Sequence, residues 1–130
     1  MMQDSEIEET LSQPKPREGT TLWFLKIITG VLVFVFILVH IVVNHLVVQG
    51  GLKTFDQVIA YLSNPWIAAM EIAFLVLVVS HALLGLRGVI LDLRPSDSLV
   101  TWLDRFFVVL GVVSVGYGAW LIEFIVHKGV

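Results

Sequence analysis

Three long apolar stretches dominate this chain: residues 27–48, residues 66–86 with one interruption at Glu71, and residues 106–122 extending to 126. Each is near the ~20 residues that carry a helix across ~30 Å of hydrocarbon. The pattern predicts an all-α membrane protein. Its three transmembrane helices fall at about 22–48, 66–93 and 100–126, within an anchor domain of residues 21–130. Residues 1–20 have no apolar periodicity and hold five acids, two bases, Pro14 and Pro16, which predicts a flexible acidic tail outside the lipid. The first apolar stretch is too long for a secretory signal, follows an acidic tail and lacks a small-residue cleavage site, so a retained helix is expected. Between the first two stretches, "QGGLKTFDQVIAYLSNP" reads as a longer loop with a short amphipathic helix at 55–62, closed by Pro65. The second connection, "RPSDS", is a brief turn.

Composition agrees with the pattern. Of 130 residues, 57% are hydrophobic and only 15% charged, with mean hydropathy +0.90, which does not describe a soluble domain. The formal charge of −3 belongs to the tail, since acids and bases balance in the remainder, and nothing points to nucleic acid. The basic residues set an expected orientation, because Lys and Arg flanking membrane helices stay on the cytoplasmic side. Lys15, Arg17, Lys26, Arg87, Arg94 and Arg105 fall on one side, and only Lys53 and Lys128 on the other. The N-terminus is therefore expected in the cytoplasm and the C-terminus outside. Trp23, Trp66, Trp102 and Trp120 bracket the helices as interfacial residues. Glu71 and Glu123 are expected to snorkel to headgroups.

Cysteine is absent, which excludes disulfides, thiolate metal sites, iron–sulfur ligation by this chain and covalent haem attachment. Histidine is the strong soft-metal ligand that remains. In "SHALLGLRGVILDL", at ~100° per residue, Gly85, Gly88 and Asp92 fall within about 40° of His81 on one helix face. That stripe predicts a flat slot: two glycines admit a planar ligand, and the imidazole faces the same space. Arg87 points about 120° away, toward headgroups or a neighbouring chain. Two readings of His81 stand at this point. One is a histidine that hydrogen-bonds across helices on a small-residue packing face; the other is an axial haem ligand.

Helix one adds His40 and His45 in "FILVHIVVNHLVV". They lie about 140° apart round the helix, so they do not share one cleft, and both belong to the outer half. Asn44, Phe36, Val33 and Thr29 share the face of His40. A haem on this helix would be a second, outer one, with His45 the alternative ligand or simply a residue meeting the outer interface.

At these residues the chain resembles the membrane-anchor subunits C and D of succinate dehydrogenase and fumarate reductase, slightly nearer the D type. "SHALLGLRGVILDL" carries the signature H-x3-G-x-R-x4-D; "ITGVLVFVFILVH" matches a Ser/Thr-Gly pair with histidine ten residues after the glycine; "NPW" precedes helix two. Two positions depart: Ile27 stands where the family usually has Arg, beside Lys26, and Leu93 stands where the D subunit often has Tyr. The resemblance implies a haem b-binding anchor of succinate:quinone oxidoreductase in the cytoplasmic (inner) membrane. Its partners would be a flavoprotein subunit, an iron–sulfur subunit, a second membrane-anchor subunit, quinone and membrane lipids. Succinate chemistry would lie on another subunit, and this chain would supply no catalytic residue.

By the same resemblance His81 is the haem iron ligand, with Gly85 and Gly88 in the haem cleft and His40, or His45, as ligand of a second haem. Asp92, Arg87 and Lys26 fall at the quinone site or the haem propionates. The alternatives are a small stand-alone b-type cytochrome, a haem-free structural subunit and an ion channel, the last lacking a continuous polar path.

Overall fold

The computed structural model describes Glu8, residues 18–47, Gly50 and residues 54–128. Most of the expected acidic tail, with Lys15 and Arg17, lies outside the described residues, as does Lys53. Helix α1 spans Thr20–Ile41 and widens into a π-helical turn at Val42–Val47. Helix α2 covers Phe55–Leu62, α3 covers Pro65–Asp92, and α4 covers Asp97–Lys128. No strand occurs among the described residues. α1 with its π turn, α3 and α4 are each long and apolar enough to cross a membrane, so the expected all-α fold with three spans is the one observed.

Local chemistry sets the boundaries. Thr54 and Gln57 form a reciprocal capping box at the start of α2, the Thr54 hydroxyl accepting from the Gln57 amide. Asn64 caps α3 by accepting from the Trp66 amide at 3.0 Å, and Pro65 occupies the first helical position, where a missing N–H costs nothing. Arg94 takes the left-handed conformation that ends α3 (φ 55°). The Ser96 hydroxyl then accepts from the Leu99 amide, and Asp97 sits in the first turn of α4. α4 therefore begins at Asp97, three residues before the expected start.

α3 is the central element. α1 packs on one side of it and α4 on the other, both antiparallel, and among the described residues the backbones of α1 and α4 do not approach each other closely. The registers follow from small residues. A Cβ on Gly30 would lie 3.0 Å from His81 Cε1, and His40 pairs with Glu71 further along, so α1 and α3 run past each other in constant register. On the other side, a Cβ on Gly111 would lie 3.1 Å from Leu83, and a Cβ on Gly118 would collide with Leu75. These glycines let α4 approach closely, as small residues do between membrane helices. Few side chains are fully buried, and large apolar residues such as Phe34, Val108 and Val112 face outward, as they do where lipid replaces water. All four tryptophans are exposed, in keeping with interfacial positions.

Candidate functional site

Two polar sites interrupt the α1–α3 seam. The first lies toward the end that holds the α3–α4 turn. There His81 Nδ1 donates to the Lys26 carbonyl at 3.2 Å and to Thr29 Oγ1 at 3.3 Å. The Thr29 hydroxyl spends its own proton on the Leu25 carbonyl at 2.8 Å, which leaves its oxygen to accept. The ring lies against the backbone of Gly30, where any larger residue would meet it.

α1 thus covers the stripe that the sequence suggested was an open slot. His81 faces Gly30, and the Lys26 amine lies 3.1 Å from where a Gly88 Cβ would be. Lys26 is fixed by Glu18 at 2.6 Å, and Glu18 Oε1 is buried without a hydrogen-bond partner among the described residues. Only Gly85 opens onto free space. One helix face seen alone does not say which neighbour lies against it; here α1 meets His81 and Lys26 meets Gly88, while Gly85 stays open.

The second site lies at the opposite end, beside α2. His40 Nδ1 meets both Glu71 carboxylate oxygens, at 2.9 and 3.0 Å. The Tyr61 hydroxyl donates to Glu71 Oε1 at 2.6 Å, and Asn44 Nδ2 donates to the Tyr61 oxygen at 3.1 Å and to the His40 carbonyl at 2.9 Å. Asn44 and Tyr61 are buried, at 8% and 9% exposure. Burial raises the Tyr61 pKa first, and the bond to Glu71 adds to it, so the phenol stays a proton donor. His40 tilts against Phe74, ring centroids 5.3 Å apart.

Glu71 therefore does not snorkel. Its side chain is 14% exposed and is held by two donors. The magnitudes bear on its role: interhelical hydrogen bonds in bilayers average ~0.6 kcal/mol, whereas a charge deep in a membrane helix costs ~2.5–3.5 kcal/mol on insertion scales. Its two donors supply ~1.2 kcal/mol at that average, less than the cost, so a carboxylate here is better explained by function than by packing. His45, in the π turn, is exposed and outside this cluster.

Arg87 also departs from expectation. It reaches across to α4 and pairs bidentately with Asp104, at 2.6 Å from Nε and 3.1 Å from Nη2, while Nη1 is buried without a hydrogen-bond partner among the described residues. The pair closes one end of an apolar cleft of about 950 Å³ between the splayed α1 and α4, walled by Leu25, Thr29, Val79, Leu83, Phe107 and Gly111. Asp92, the last residue of α3, is exposed near the same end.

A haem ligand needs one ring nitrogen free, with the other fixed by a second partner that sets the tautomer. Both histidines meet that test: Nδ1 is bonded in each, and Nε2 takes no hydrogen bond among the described residues. Gly30 and His40 are ten residues apart on α1, as Glu71 and His81 are on α3, so the sites lie ~15 Å apart along the seam. They cannot share one iron. An iron held at either site would need a further ligand from elsewhere. No group of three metal-ligating side chains occurs among the described residues.

The sequence profile described as "Succinate dehydrogenase/Fumarate reductase transmembrane subunit" matches residues 1–121. The chain belongs to that family. A succinate dehydrogenase hydrophobic membrane anchor subunit of Thermoplasma acidophilum is 27% identical over 104 residues, covering 80% of this chain and 85% of the relative. The corresponding subunit of Archaeoglobus fulgidus is 30% identical over 70 residues, covering 54% of this chain and 59% of the relative. No solved structure matches. This chain is thus a multi-pass membrane anchor subunit of the succinate dehydrogenase/fumarate reductase family, which works in association with other subunits of a complex.

Proposed function

We propose that this anchor holds haem b within a succinate:quinone oxidoreductase, with His81 and His40 ligating through Nε2. The observation that carries this reading is the pair of imidazoles, each with Nδ1 engaged and Nε2 unengaged, on the two helices where the sequence motifs fall. Bound haem supplies a one-electron carrier in a low-dielectric setting. The chain's own contribution is orientation. The Lys26 carbonyl and Thr29 hold one ring, Glu71 holds the other, and Gly30 lets the first ring lie flush with α1. A second membrane anchor would contribute the opposing ligands, and a flavoprotein and an iron–sulfur subunit would dock on the cytoplasmic face of the inner membrane.

Quinone, the substrate, takes up protons as well as electrons. The apolar cleft suits an isoprenoid tail, and Arg87 Nη1 at its polar end, which has no hydrogen-bond partner among the described residues, would donate to a quinone carbonyl. Asp92 lies near that end and would hand on protons from the aqueous side. Lys26, already paired with Glu18, contributes charge there. A reduced-minus-oxidised spectrum with haem stoichiometry on the purified complex tests the reading. His81→Ala and His40→Ala should each remove one haem signal. A colourless wild-type complex, or unchanged haem content in both variants, sinks it. If only the His81 variant loses haem, the chain ligates a single haem.

A further inference from the structure

Glu71 sits near the start of α3, where an acid is expected to snorkel, yet it is the most fully engaged carboxylate among the membrane-spanning residues described. Both its oxygens lie at hydrogen-bond distance from His40 Nδ1, and Oε1 also accepts from Tyr61. We propose that Glu71 is a positioning residue for His40. It accepts the hydrogen bond of Nδ1–H and so keeps the proton on that nitrogen, which confines the ligating lone pair to Nε2, and Tyr61 sets how strongly the carboxylate pulls on that proton. The inference rests on the haem reading of His40 and goes beyond it by assigning Glu71 and Tyr61 a graded electronic role.

A neutral imidazole carries its proton on one nitrogen, and its partner decides which. A carboxylate at 2.9 Å fixes that choice far more firmly than a carbonyl or hydroxyl at 3.2–3.3 Å, the arrangement at His81. A carboxylate partner also raises the donor strength of the ring toward a metal, which favours the oxidised iron and lowers its potential. Tyr61 opposes this: each hydrogen bond that the carboxylate accepts from the phenol draws density away from the one to His40. Asn44, donating to the Tyr61 oxygen, keeps the phenol proton aimed at Glu71. The cluster is a three-step relay of hydrogen bonds, Asn44 to Tyr61 to Glu71, ending on the imidazole.

Opposite signs distinguish this from a merely structural cluster. In the purified complex, redox titration of the haem alpha band should show Glu71→Gln raising the midpoint potential of the His40 haem. Tyr61→Phe should lower it, and the His81 haem should stay unchanged in both. Ferric low-spin electron paramagnetic resonance should show the His40 signal moving in the same two variants. A structural role would shift both variants in one direction or neither, and that result overturns the proposal. If Glu71→Gln fails to assemble, Tyr61→Phe decides alone: a lowered potential supports the proposal, and an unchanged or raised one overturns it. His40→Ala separates the two claims. If that variant keeps the wild-type haem content, the parent reading of His40 has failed. If it loses a haem while Glu71→Gln and Tyr61→Phe leave the potential untouched, only the positioning role has failed.

Discussion

The two histidine sites on the α1–α3 seam are built from the same helices, yet they solve the same problem differently. At the turn end, His81 is a guest of the α1 backbone: its Nδ1 rests on a carbonyl and a hydroxyl, and its ring lies against a glycine. At the loop end, His40 is held by a side-chain network that reaches into α2 and contains a carboxylate. The first arrangement depends on shape, since nothing charged touches the ring. The second depends on charge, with Phe74 as its ring neighbour at 5.3 Å between centroids. Steric substitutions should therefore damage the His81 site, and electrostatic substitutions the His40 site.

Gly30→Val gives the largest effect that would break this contrast. A Cβ already lies 3.0 Å from His81 Cε1, and two further methyl groups force the ring out of the seam. Overpacking of this kind costs ~1–3 kcal/mol. The displaced imidazole should lose its haem as completely as His81→Ala does, with the His40 haem retained. Haem quantitation on the purified complex checks it. Equal loss of both haems would mean that the two sites are one cooperative unit.

The spans were legible in the sequence because hydropathy is local, and so was the stripe of His81 with Gly85 and Gly88. What covers that stripe was not legible, because the register of α1 against α3 is a property of two segments some fifty residues apart. Glu71 shows the same limit: read alone it is a lone acid near an interface, whereas its partners come from α1 and α2. One signal was present. Gly30 and His40 share the ten-residue spacing of Glu71 and His81, so an antiparallel pair that sets His81 on Gly30 must also set Glu71 beside His40. Arg87 was misplaced for a related reason. Its angle on α3 was right, but the neighbour in that direction is α4, with Asp104 one helix away.

Asp92→Asn probes the ends through proton supply. Quinone reduction should fall on the order of 10²-fold, the range for loss of a positioned proton donor. Succinate oxidation with a soluble artificial acceptor should stay near wild type. Glu71→Gln, at the other end, should leave quinone reduction within a few-fold of wild type if the quinone chemistry belongs to the turn end. Comparable losses in the two variants would erase that division.

Thr29→Val is a smaller perturbation, chosen to match Glu71→Gln in kind. It removes one of two acceptors from His81 Nδ1 and keeps the side-chain shape, and the Lys26 carbonyl remains. A single interhelical hydrogen bond of this sort is worth ~0.6 kcal/mol in a bilayer. The His81 haem should persist with a barely shifted potential, measured beside the larger shift at His40 in Glu71→Gln. A shift at His81 as large as the one at His40 would show that the hydroxyl, and not shape, holds the ring.

The smallest effect concerns the phenol that only the loop end possesses. The Tyr61 pKa stands above its ordinary value of 10.0, first because the ring is buried, then because its hydroxyl bonds Glu71 and lies in the field of that carboxylate; Asn44 works weakly the other way. The folded pKa exceeds the unfolded one, so the protonated phenol contributes stability that is fully present below about pH 10 and is lost as pH rises further. Neutral pH should leave the loop end untouched. Alkaline ultraviolet difference spectra of wild type against Tyr61→Phe should show no tyrosinate from Tyr61 near pH 10. In Glu71→Gln the onset should move down, since the carboxylate's charge is gone and an amide oxygen accepts more weakly, yet stay above the ordinary value because burial, the largest cause, survives. A Tyr61 signal at its ordinary pKa in the wild-type complex would mean that water reaches the cluster, and the charge-held character of the loop end would be lost with it.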